Sequence, residues 1–244
     1  MDILRQIGEQ TAYRFDQLQG LLARHPDSLS RNPKRFSEAH TRDTLRYWQQ
    51  LGLAEYRKKF RGNYGWVWLT RKGLRKTQVS GQFFEPSPDK WNSLYWMNET
   101  RALIEDTYNK YAGFSWEGGR SLQVIREQWQ WHQKENKLLS VPSEYQGKHQ
   151  PSALLRYRIE TNTDKRDVIS AIEVVLEGKS YSSWKKIFLE LLNYYTDAHL
   201  YTCPPAKSSV LKALRRFQCE TPSQKEPSRE HRQKIYIHDV EKVL

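Results

Sequence analysis

The segment of residues 37–78 constrains the fold of this chain more than any other. It opens with Ser37, a residue type that caps helices through its side-chain oxygen. Residues suited to a buried face then recur at helical spacing, at Thr41, Leu45, Trp48 and Leu51. Gly52 is suited to end the helix, because glycine adopts the left-handed conformation without strain. The pattern predicts a helix over residues 38–51, with one buried face and one face open to a partner.

Two short strands are predicted after this helix, over residues 53–60 and 66–69. The residues between them, Arg61-Gly62-Asn63-Tyr64-Gly65, are typical of a hairpin turn. The motif Leu69-Thr70-x-x-Gly73 then begins another helix. A helix, a basic hairpin and this motif together resemble a winged helix-turn-helix domain. The resemblance implies that helix 38–51 is the recognition helix and that the hairpin is the wing.

The basic residues of this segment indicate double-stranded DNA as the partner. A recognition helix contacts base edges, and cations on either side of it contact phosphates. The predicted DNA-binding residues are Arg42, Arg46, Gln50, Arg57, Lys58, Lys59, Arg61, Arg71 and Lys72. The alternative interpretation is a solvated helical face beside an ordinary charged hairpin.

The distribution of charge favours the DNA interpretation. The chain has a formal net charge of +12. Residues 1–80 contain 16 lysines and arginines against 7 aspartates and glutamates, a charge of +9, whereas the other 164 residues contain 24 against 21, a charge of +3. An excess that only served solubility would be spread along the chain. Its concentration in one segment indicates that a polyanion binds there.

Length and composition predict a soluble, cytoplasmic protein without membrane partners. The chain has 244 residues, no apolar run long enough to span a bilayer and no N-terminal signal peptide. Cys203 and Cys219 are its two cysteines, and their spacing fits neither a disulfide framework nor a zinc site. We expect a DNA-binding domain over residues 1–80, a linker and long helix over 81–112, an α/β domain over 113–217, and a polar tail with a possible edge strand over 218–244.

Helices are predicted on both sides of the recognition segment. Two supporting helices precede it, and Thr11 is the predicted cap of the second. A long helix is predicted from residue 89 or 90 to about residue 111, in which Asn98, Glu99 and Arg101 interrupt the apolar surface and are expected to form hydrogen bonds within the protein. The tryptophan-rich residues 115–133 either stack on bases or, as we favour, belong to the core and its edge.

The second half of the chain predicts a β-β-α-β pattern followed by one more helix. Strands are expected over residues 153–159, 168–176 and 199–202, helices over 182–195 and around 210–217, and a possible edge strand over 235–237. Residues 161–167 are expected to form a polar turn between the first two strands. These elements place the chain in the α+β class.

Three motifs in this half resemble the replication-relaxation family. They are His149-Gln150-Pro151-Ser152-Ala153, Ala171-Ile172-Glu173-Val174-Val175-Leu176-Glu177-Gly178-Lys179-Ser180, and Leu200-Tyr201-Thr202 after an aromatic helix. Members of that family, found on plasmids and integrative elements, join an N-terminal winged helix to a domain similar to the PD-(D/E)XK nucleases, whose fold is that of restriction endonucleases. The resemblance covers residues 11–217.

The chain departs from the family pattern at its acidic positions. Ser152 stands where the family has aspartate, and Val175 stands where it has a second acidic residue. The family also has an acidic residue in the motif that here reads Trp116-Glu117-Gly118-Gly119-Arg120. Glu173 and Lys179 remain as the candidate catalytic residues if the domain is active. We expect His149 to lack a carboxylate neighbour, and Glu173 to be a remnant or a partner of Lys179.

These departures predict a nuclease-like domain without the chemistry. Phosphodiester hydrolysis in such a site needs carboxylates that converge on Mg²⁺, and one carboxylate rarely holds that ion alone. No metal and no other cofactor are therefore expected, with Mg²⁺ needed only if the chain is a nuclease.

Three functions follow for the whole chain. The first is a sequence-specific, non-catalytic binder of double-stranded DNA from a mobile element, which marks an origin or promoter for a replication, transfer or recombination enzyme. The alternatives are a metal-dependent endonuclease targeted by the winged helix, and a transcriptional regulator whose second domain dimerises. The sequence leaves a homodimer open.

Overall fold

The structure is a computed structural model that describes residues 3–28, 35–58, 64–81, 83, 85–135, 142–161, 164–220 and 234–239. The chain divides into two units. Unit 1 comprises Met1–Ala102 and Gly118–Val124, and unit 2 comprises Leu103–Glu117 and Ile125–Leu244. Among the helices that the structure describes, none is both long enough and apolar enough to cross a membrane.

Unit 1 is built from helices and one small antiparallel sheet. Its elements in chain order are α1 (Ile3–Gln10), β1 (Ala12–Arg14), α2 (Phe15–Arg24), α3 (Glu38–Gln50), β2 (Ala54–Arg57), β3 (Trp66–Leu69), α4 (Arg71–Thr77), a 3₁₀ turn (Pro88–Lys90) and the first part of α5 (Trp91–Tyr108). The strand order is β1-β3-β2, and both pairings are antiparallel. The predicted order of a helix, two strands and a further helix is therefore present.

Strand β3 lies at the centre of unit 1, which explains its uninterrupted apolar sequence. Val67 and Leu69 belong to the main core, with Leu18, Leu45 and other buried residues of the helices. Trp66 and Trp68 point to the other side of the sheet, where Trp66 stacks on Trp91 with ring centroids 5.6 Å apart. A strand covered on both faces has no solvent-facing alternation, so each of its residues is apolar.

The ends of α3 confirm two sequence predictions and refine a third. The Ser37 side chain accepts a hydrogen bond from the His40 backbone N–H at 3.2 Å. Gly52 has a φ of +66°, in the left-handed region that favours glycine. Thr41, Leu45 and Trp48 are buried as predicted, but Leu51 is 37% exposed because it follows the last turn of the helix.

The start of α2 differs from the prediction. Thr11 does not cap this helix; it has a φ of +80° and precedes β1, and α2 begins only after Arg14. Strand β1 was not predicted, because three residues are too short to show an alternating pattern. Its place in the sheet comes from pairing with β3, a contact between distant parts of the sequence.

The polar residues of α5 form internal hydrogen bonds, as predicted. The Asn98 side chain donates to the Ala12 carbonyl at 2.8 Å, and Gln17 donates to the Glu99 carboxylate at 2.6 Å. Arg101, which is fully buried, forms an ion pair with Glu9 at 3.2 Å. These bonds satisfy polar groups whose burial would otherwise destabilise unit 1.

A mixed five-stranded sheet forms unit 2. Its elements are the end of α5, β4 (Ala112–Gly118), α6 (Gly119–Lys134), a 3₁₀ turn (Ser143–Tyr145), β5 (Ala153–Glu160), β6 (Lys165–Val175), α7 (Tyr181–Tyr194), β7 (Asp197–Thr202), α8 (Pro204–Glu220) and β8 (Lys234–Asp239), with residues 118–124 of β4 and α6 assigned to unit 1. The strand order is β4-β5-β6-β7-β8; β5 and β6 are antiparallel, and β6, β7 and β8 are parallel. The predicted α+β class is confirmed.

The prediction for unit 2 is correct for its sheet core and wrong at two places. The edge strand expected at residues 235–237 is confirmed as β8. The turn between β5 and β6 is shorter than expected, since β6 already begins at Lys165 and includes Asp167. Strand β4 and helix α6 were not predicted, because their mixed aromatic and polar sequence has no clear period. Most of the predicted polar tail, residues 221–233, lies outside the described residues.

Candidate functional site

Helix α3 presents an exposed polar stripe on the side opposite its buried residues. Ala39, Asp43, Arg46 and Gln50 are spaced at helical intervals along this stripe, and all four are exposed. The opposite face of the helix is anchored in the core by the buried residues Thr41, Leu45 and Trp48. Its exposed side chains therefore project from a rigid support, which recognition of a defined ligand requires.

Both arginines of α3, Arg42 and Arg46, form ion pairs within the helix. Arg42 contacts Glu38 at 2.5 Å, and its guanidinium also lies 5.3 Å from the ring centre of Phe15. The hydrogen bond from Arg42 lowers the pKa of Glu38 and raises that of Arg42. Arg46 contacts Asp43 at 3.0 Å, and 70% of its side chain is exposed. Arg46 is thus the more accessible of the two.

The basic residues predicted to contact phosphates on the hairpin after α3 lie in different environments. Arg57 lies between two carboxylates, Glu55 at 2.7 Å and Glu85 at 3.0 Å, and 5.5 Å from the Trp68 ring centre. Lys58 is exposed. The predicted contacts Lys59 and Arg61 lie outside the described residues.

The two predicted contacts on α4 lie on different sides of that helix. A side chain added at Gly52 would lie 3.8 Å from Lys72, so Lys72 is next to the C-terminal end of α3. Arg71 instead lies 5.7 Å from the ring centre of Phe83, in a cleft that no residue of α3 lines. The structure therefore groups Lys72 with the α3 surface and separates Arg71 from it.

The junction of α3 and α4 explains the Leu69-Thr70-x-x-Gly73 motif. Thr70 caps α4 by accepting from the Gly73 N–H at 3.0 Å, and its hydroxyl donates to the Gly52 carbonyl at 2.6 Å. A Cβ atom at Gly73 would lie only 2.0 Å from the carbonyl oxygen of Leu53. Only glycine allows α4 to approach the chain after α3 this closely.

A second cluster of functional interest lies in unit 2 and centres on Glu173. One carboxylate oxygen of Glu173 is hydrogen-bonded to His149 Nε2, and the other accepts from the Ser152 hydroxyl at 3.1 Å. The Ser152 Oγ in turn accepts from the Val174 N–H, also at 3.1 Å. Glu173 is 9% exposed, so its carboxylate is buried and fully engaged.

This cluster corrects two expectations. His149 does have a carboxylate neighbour, which is Glu173. Glu173 is paired with His149 and Ser152 rather than with Lys179, whose side chain is exposed after the end of β6. Ser152 thus supplies a hydrogen bond to the Glu173 carboxylate.

Strand register explains why Ser152 meets Glu173. In the β5–β6 hairpin Ala153 pairs with Ile172, so the residues one step further out, Ser152 and Glu173, lie opposite each other. Residues equally distant from a hairpin turn face each other on the same side of the sheet. Counting outward from the turn would have indicated this pair; the contact of His149 depends on the path of the preceding segment and has no such signal.

Two further acidic residues near this sheet, Glu117 and Glu144, are also engaged. The two oxygens of Glu117 accept from Arg156 Nε at 2.9 Å and from the Tyr145 hydroxyl at 2.7 Å. Glu144 forms an ion pair with Arg156 at 3.0 Å. Burial and the bond to Glu117 raise the pKa of Tyr145, while Glu117 and Glu144 raise the pKa of Arg156 against the effect of its burial. This network connects β4, β5 and the 3₁₀ turn.

The residues of unit 2 that the structure describes do not fit a Mg²⁺ centre. Glu173 is hydrogen-bonded to His149 and Ser152, Glu117 is hydrogen-bonded to Arg156 and Tyr145, and Val175 is a buried apolar residue. Within the described ranges, no three histidine, cysteine, aspartate or glutamate side chains are grouped so that they could hold a metal ion. Of the two candidate catalytic residues, Glu173 is thus held by hydrogen bonds within the protein, and the Lys179 side chain is exposed.

Comparisons with known proteins add little to this geometry. No protein-family model matches the chain, and no curated protein matches it. A solved structure to which the chain is similar is the DNA modification-dependent restriction endonuclease AspBHI, with 13% sequence identity and a TM-score of 0.24 over 98% of this chain and 75% of that one. A likeness at this level carries no argument about the fold or function of the chain.

Proposed function

We propose that this chain binds double-stranded DNA and reads its sequence through α3. The observation that carries the proposal is the exposed stripe of Ala39, Asp43, Arg46 and Gln50 on a helix anchored by buried residues. In this proposal unit 1 is a winged helix-turn-helix domain, with α3 as the recognition helix and the β2–β3 hairpin as the wing.

The dimensions and the charge of unit 1 support this assignment. Helix α3 has 13 residues and is about 20 Å long, and a major groove about 12 Å wide accommodates such a helix. The basic excess of residues 1–80 provides the favourable electrostatic interaction with phosphates. Lys72, next to the end of α3, and Lys58, after β2, are exposed cations that would contact the backbone on either side of the helix.

The ion pairs within α3 are compatible with base recognition. Exposed pairs contribute about 0–1 kcal/mol, whereas a bidentate contact of arginine with guanine provides about 1–3 kcal/mol of discrimination. Arg46 can therefore leave Asp43 for a base. Arg42, which also packs over Phe15, is the less mobile of the two.

In this proposal unit 2 has a role other than hydrolysis. The finer role rests on the resemblance of its motifs to the replication-relaxation family: the chain would belong to a mobile element and would mark an origin or promoter for a replication, transfer or recombination enzyme. The engaged carboxylates of Glu173 and Glu117 do not favour the nuclease alternative.

Selection of duplexes from a random pool by the full chain would test the proposal. We expect enrichment of a defined sequence, and loss of that enrichment in the double variant Arg46→Ala, Gln50→Ala. Arg216→Ala is a matched control, because Arg216 is an exposed arginine that pairs with Glu220 within α8. Binding without any enriched sequence would overturn the assignment of α3, and no binding of duplex DNA would overturn the proposal.

A further inference from the structure

A cleft in unit 1, separate from the α3 surface, has the features of a ligand site. It has a volume of about 760 Å³ and lies between α4 and the chain that follows this helix. Its lining includes Arg71, Leu74, Arg75, Gln78, Val79 and Phe83. Sites for small molecules have volumes of about 300–1,000 Å³ and combine an apolar lining with a few polar groups. We propose that this cleft binds a phosphorylated small molecule with a planar ring, of the nucleoside monophosphate class.

Within the described part of unit 1, no carboxylate forms an ion pair with the two arginines of the cleft. Arg71 and Arg75 are four residues apart on α4, both are exposed, and neither forms an ion pair with a carboxylate of the described residues. Arg42, Arg46 and Arg57, in contrast, each pair with a carboxylate. Like charges four residues apart on a helix repel each other. A phosphate between the two guanidinium groups would remove this repulsion and accept charge-assisted hydrogen bonds.

The apolar part of the cleft favours a planar ring beside the phosphate. Phe83 is half-buried and its ring centre lies 5.7 Å from the Arg71 guanidinium, so an aromatic side chain lies beside the cation. Leu74 and Val79 supply further apolar surface. A ring stacked on Phe83 would place its attached phosphate within reach of the arginines, a combination that an inorganic anion cannot use.

The arrangement of α4 separates this cleft from the proposed DNA surface. Lys72 lies beside the end of α3, whereas Arg71 and Arg75 line the cleft with residues 78–81 and Phe83. Because nucleotides and DNA share phosphate and ring chemistry, a nucleotide of a bound duplex is the other source of such a ligand. The experiment has to distinguish a free nucleotide from DNA.

Calorimetric titration of the full chain with three probes tests the ligand class. The probes are adenosine monophosphate, adenosine and inorganic phosphate. We expect the monophosphate to bind more tightly than either of its parts, because only it engages both the arginines and Phe83. No binding of the monophosphate up to about 1 mM, or equal binding of inorganic phosphate, would overturn the proposal.

Variants of the lining residues test the location. Arg75→Gln and Phe83→Leu should each weaken binding of the monophosphate about ten-fold or more, since each removes one of the two interactions. Lys76→Gln is the matched control: Lys76 is exposed on α4 but does not line the cleft, and its loss should leave the affinity unchanged. Equal weakening by Lys76→Gln would assign the binding to general charge and contradict the site.

A last titration distinguishes the two sources of the ligand. Adenosine monophosphate is added to the chain already saturated with a duplex selected as described above. An unchanged affinity supports a separate site, whereas competition would assign the cleft to DNA and overturn the proposal. DNA binding is measured in the same experiment. A chain that binds the duplex but not the monophosphate would overturn only the proposed cleft site, whereas a chain that does not bind the duplex would overturn the proposed function.

Discussion

The carboxylate of Glu173 is hydrogen-bonded to Nε2 of His149, and this contact connects strand β6 to the segment that precedes β5. The same segment is held a second time, since the His149 N–H donates to Glu190 on α7 at 2.8 Å. Ser152 occupies the other oxygen of Glu173. Both oxygens of the Glu173 carboxylate are thus held in an internal hydrogen-bond network.

We therefore expect the chain to bind duplex DNA without cutting it. Supercoiled plasmid incubated with the full chain and Mg²⁺ or Mn²⁺ should stay intact, because a metal that generates hydroxide needs converging carboxylates. The double variant Ser152→Asp, Val175→Glu tests whether adding the two acids creates metal binding or nicking. Nicking by the native chain that disappears in Glu173→Gln, a variant of the same shape, would make the nuclease interpretation correct.

We expect Arg46, on the exposed face of α3, to contribute to the DNA sequence preference. Arg46→Ala should lower the affinity for the selected duplex by about 1–3 kcal/mol and relax the preference at one base pair, as expected for loss of a bidentate base contact. Titration of labelled duplexes that differ at single positions would measure this. Arg5→Ala, which removes an exposed arginine paired with Glu9 on α1, is the control. An unchanged preference in Arg46→Ala would show that α3 is not the reading element.

Lys72 is expected to contact phosphate rather than bases. Lys72→Gln should weaken all duplexes alike and reduce the salt slope of binding by about 1, because one fewer counterion is released. Affinities measured over a range of salt concentrations give this slope. Lys212→Gln on α8 removes the same charge from an exposed position in unit 2 and should not change it. A loss confined to the selected sequence would contradict a phosphate contact.

We expect His238, on strand β8, to make the stability of the protein depend on pH. Burial, together with the neighbouring His199, lowers the pKa of His238 to about 4. An unfolded histidine titrates near pH 6.5, so between pH 6.5 and 4 the unfolded chain binds a proton that the folded chain does not, and stability falls as the pH falls. The loss should be about 1 kcal/mol, with allowance for the partial exposure of the ring.

Urea unfolding at several pH values checks this prediction. The slope of stability between pH 4 and 6.5 should be smaller in His238→Gln than in the native chain. Acidic residues with lowered pKa values, such as Glu220 at about 2, lose their contribution as the pH falls below 4.5, and this loss is common to both chains. Identical slopes in the two chains would exclude His238 as the titrating group.

Gly73 is expected to be one of the least replaceable residues of unit 1. A methyl group at this position would overlap the Leu53 carbonyl, which also accepts from the Thr70 N–H at 3.0 Å. Gly73→Ala should reduce the free energy of unfolding by about 2–3 kcal/mol, since the backbone has to move apart. Circular dichroism during urea unfolding would measure the loss, with Lys76→Ala on the same helix as the control. A stability equal to that of the native chain would disprove the close approach.

The sequence by itself determined the helices, caps and hairpin that are set by residues close together in the chain. The cap at Ser37, the stop at Gly52 and the buried face of α3 follow from side chains within one helix, and the β5–β6 hairpin and α7 follow from clear periodicity. In each case the residues that decide the structure are neighbours in the sequence.

Tertiary structure alone decided the contacts between distant residues. Strand β1 exists because it pairs with β3, and the His149 imidazole reaches Glu173 only through the path of the chain before β5. Packing also places Glu85 beside Arg57, whereas the pairs of Arg42 with Glu38 and of Arg46 with Asp43 follow from helical spacing within α3. The separation of Arg71 from Lys72 also depends on how α4 packs beside Leu53. Side-chain pairing of this kind is set by three-dimensional proximity, which periodicity along one chain does not encode.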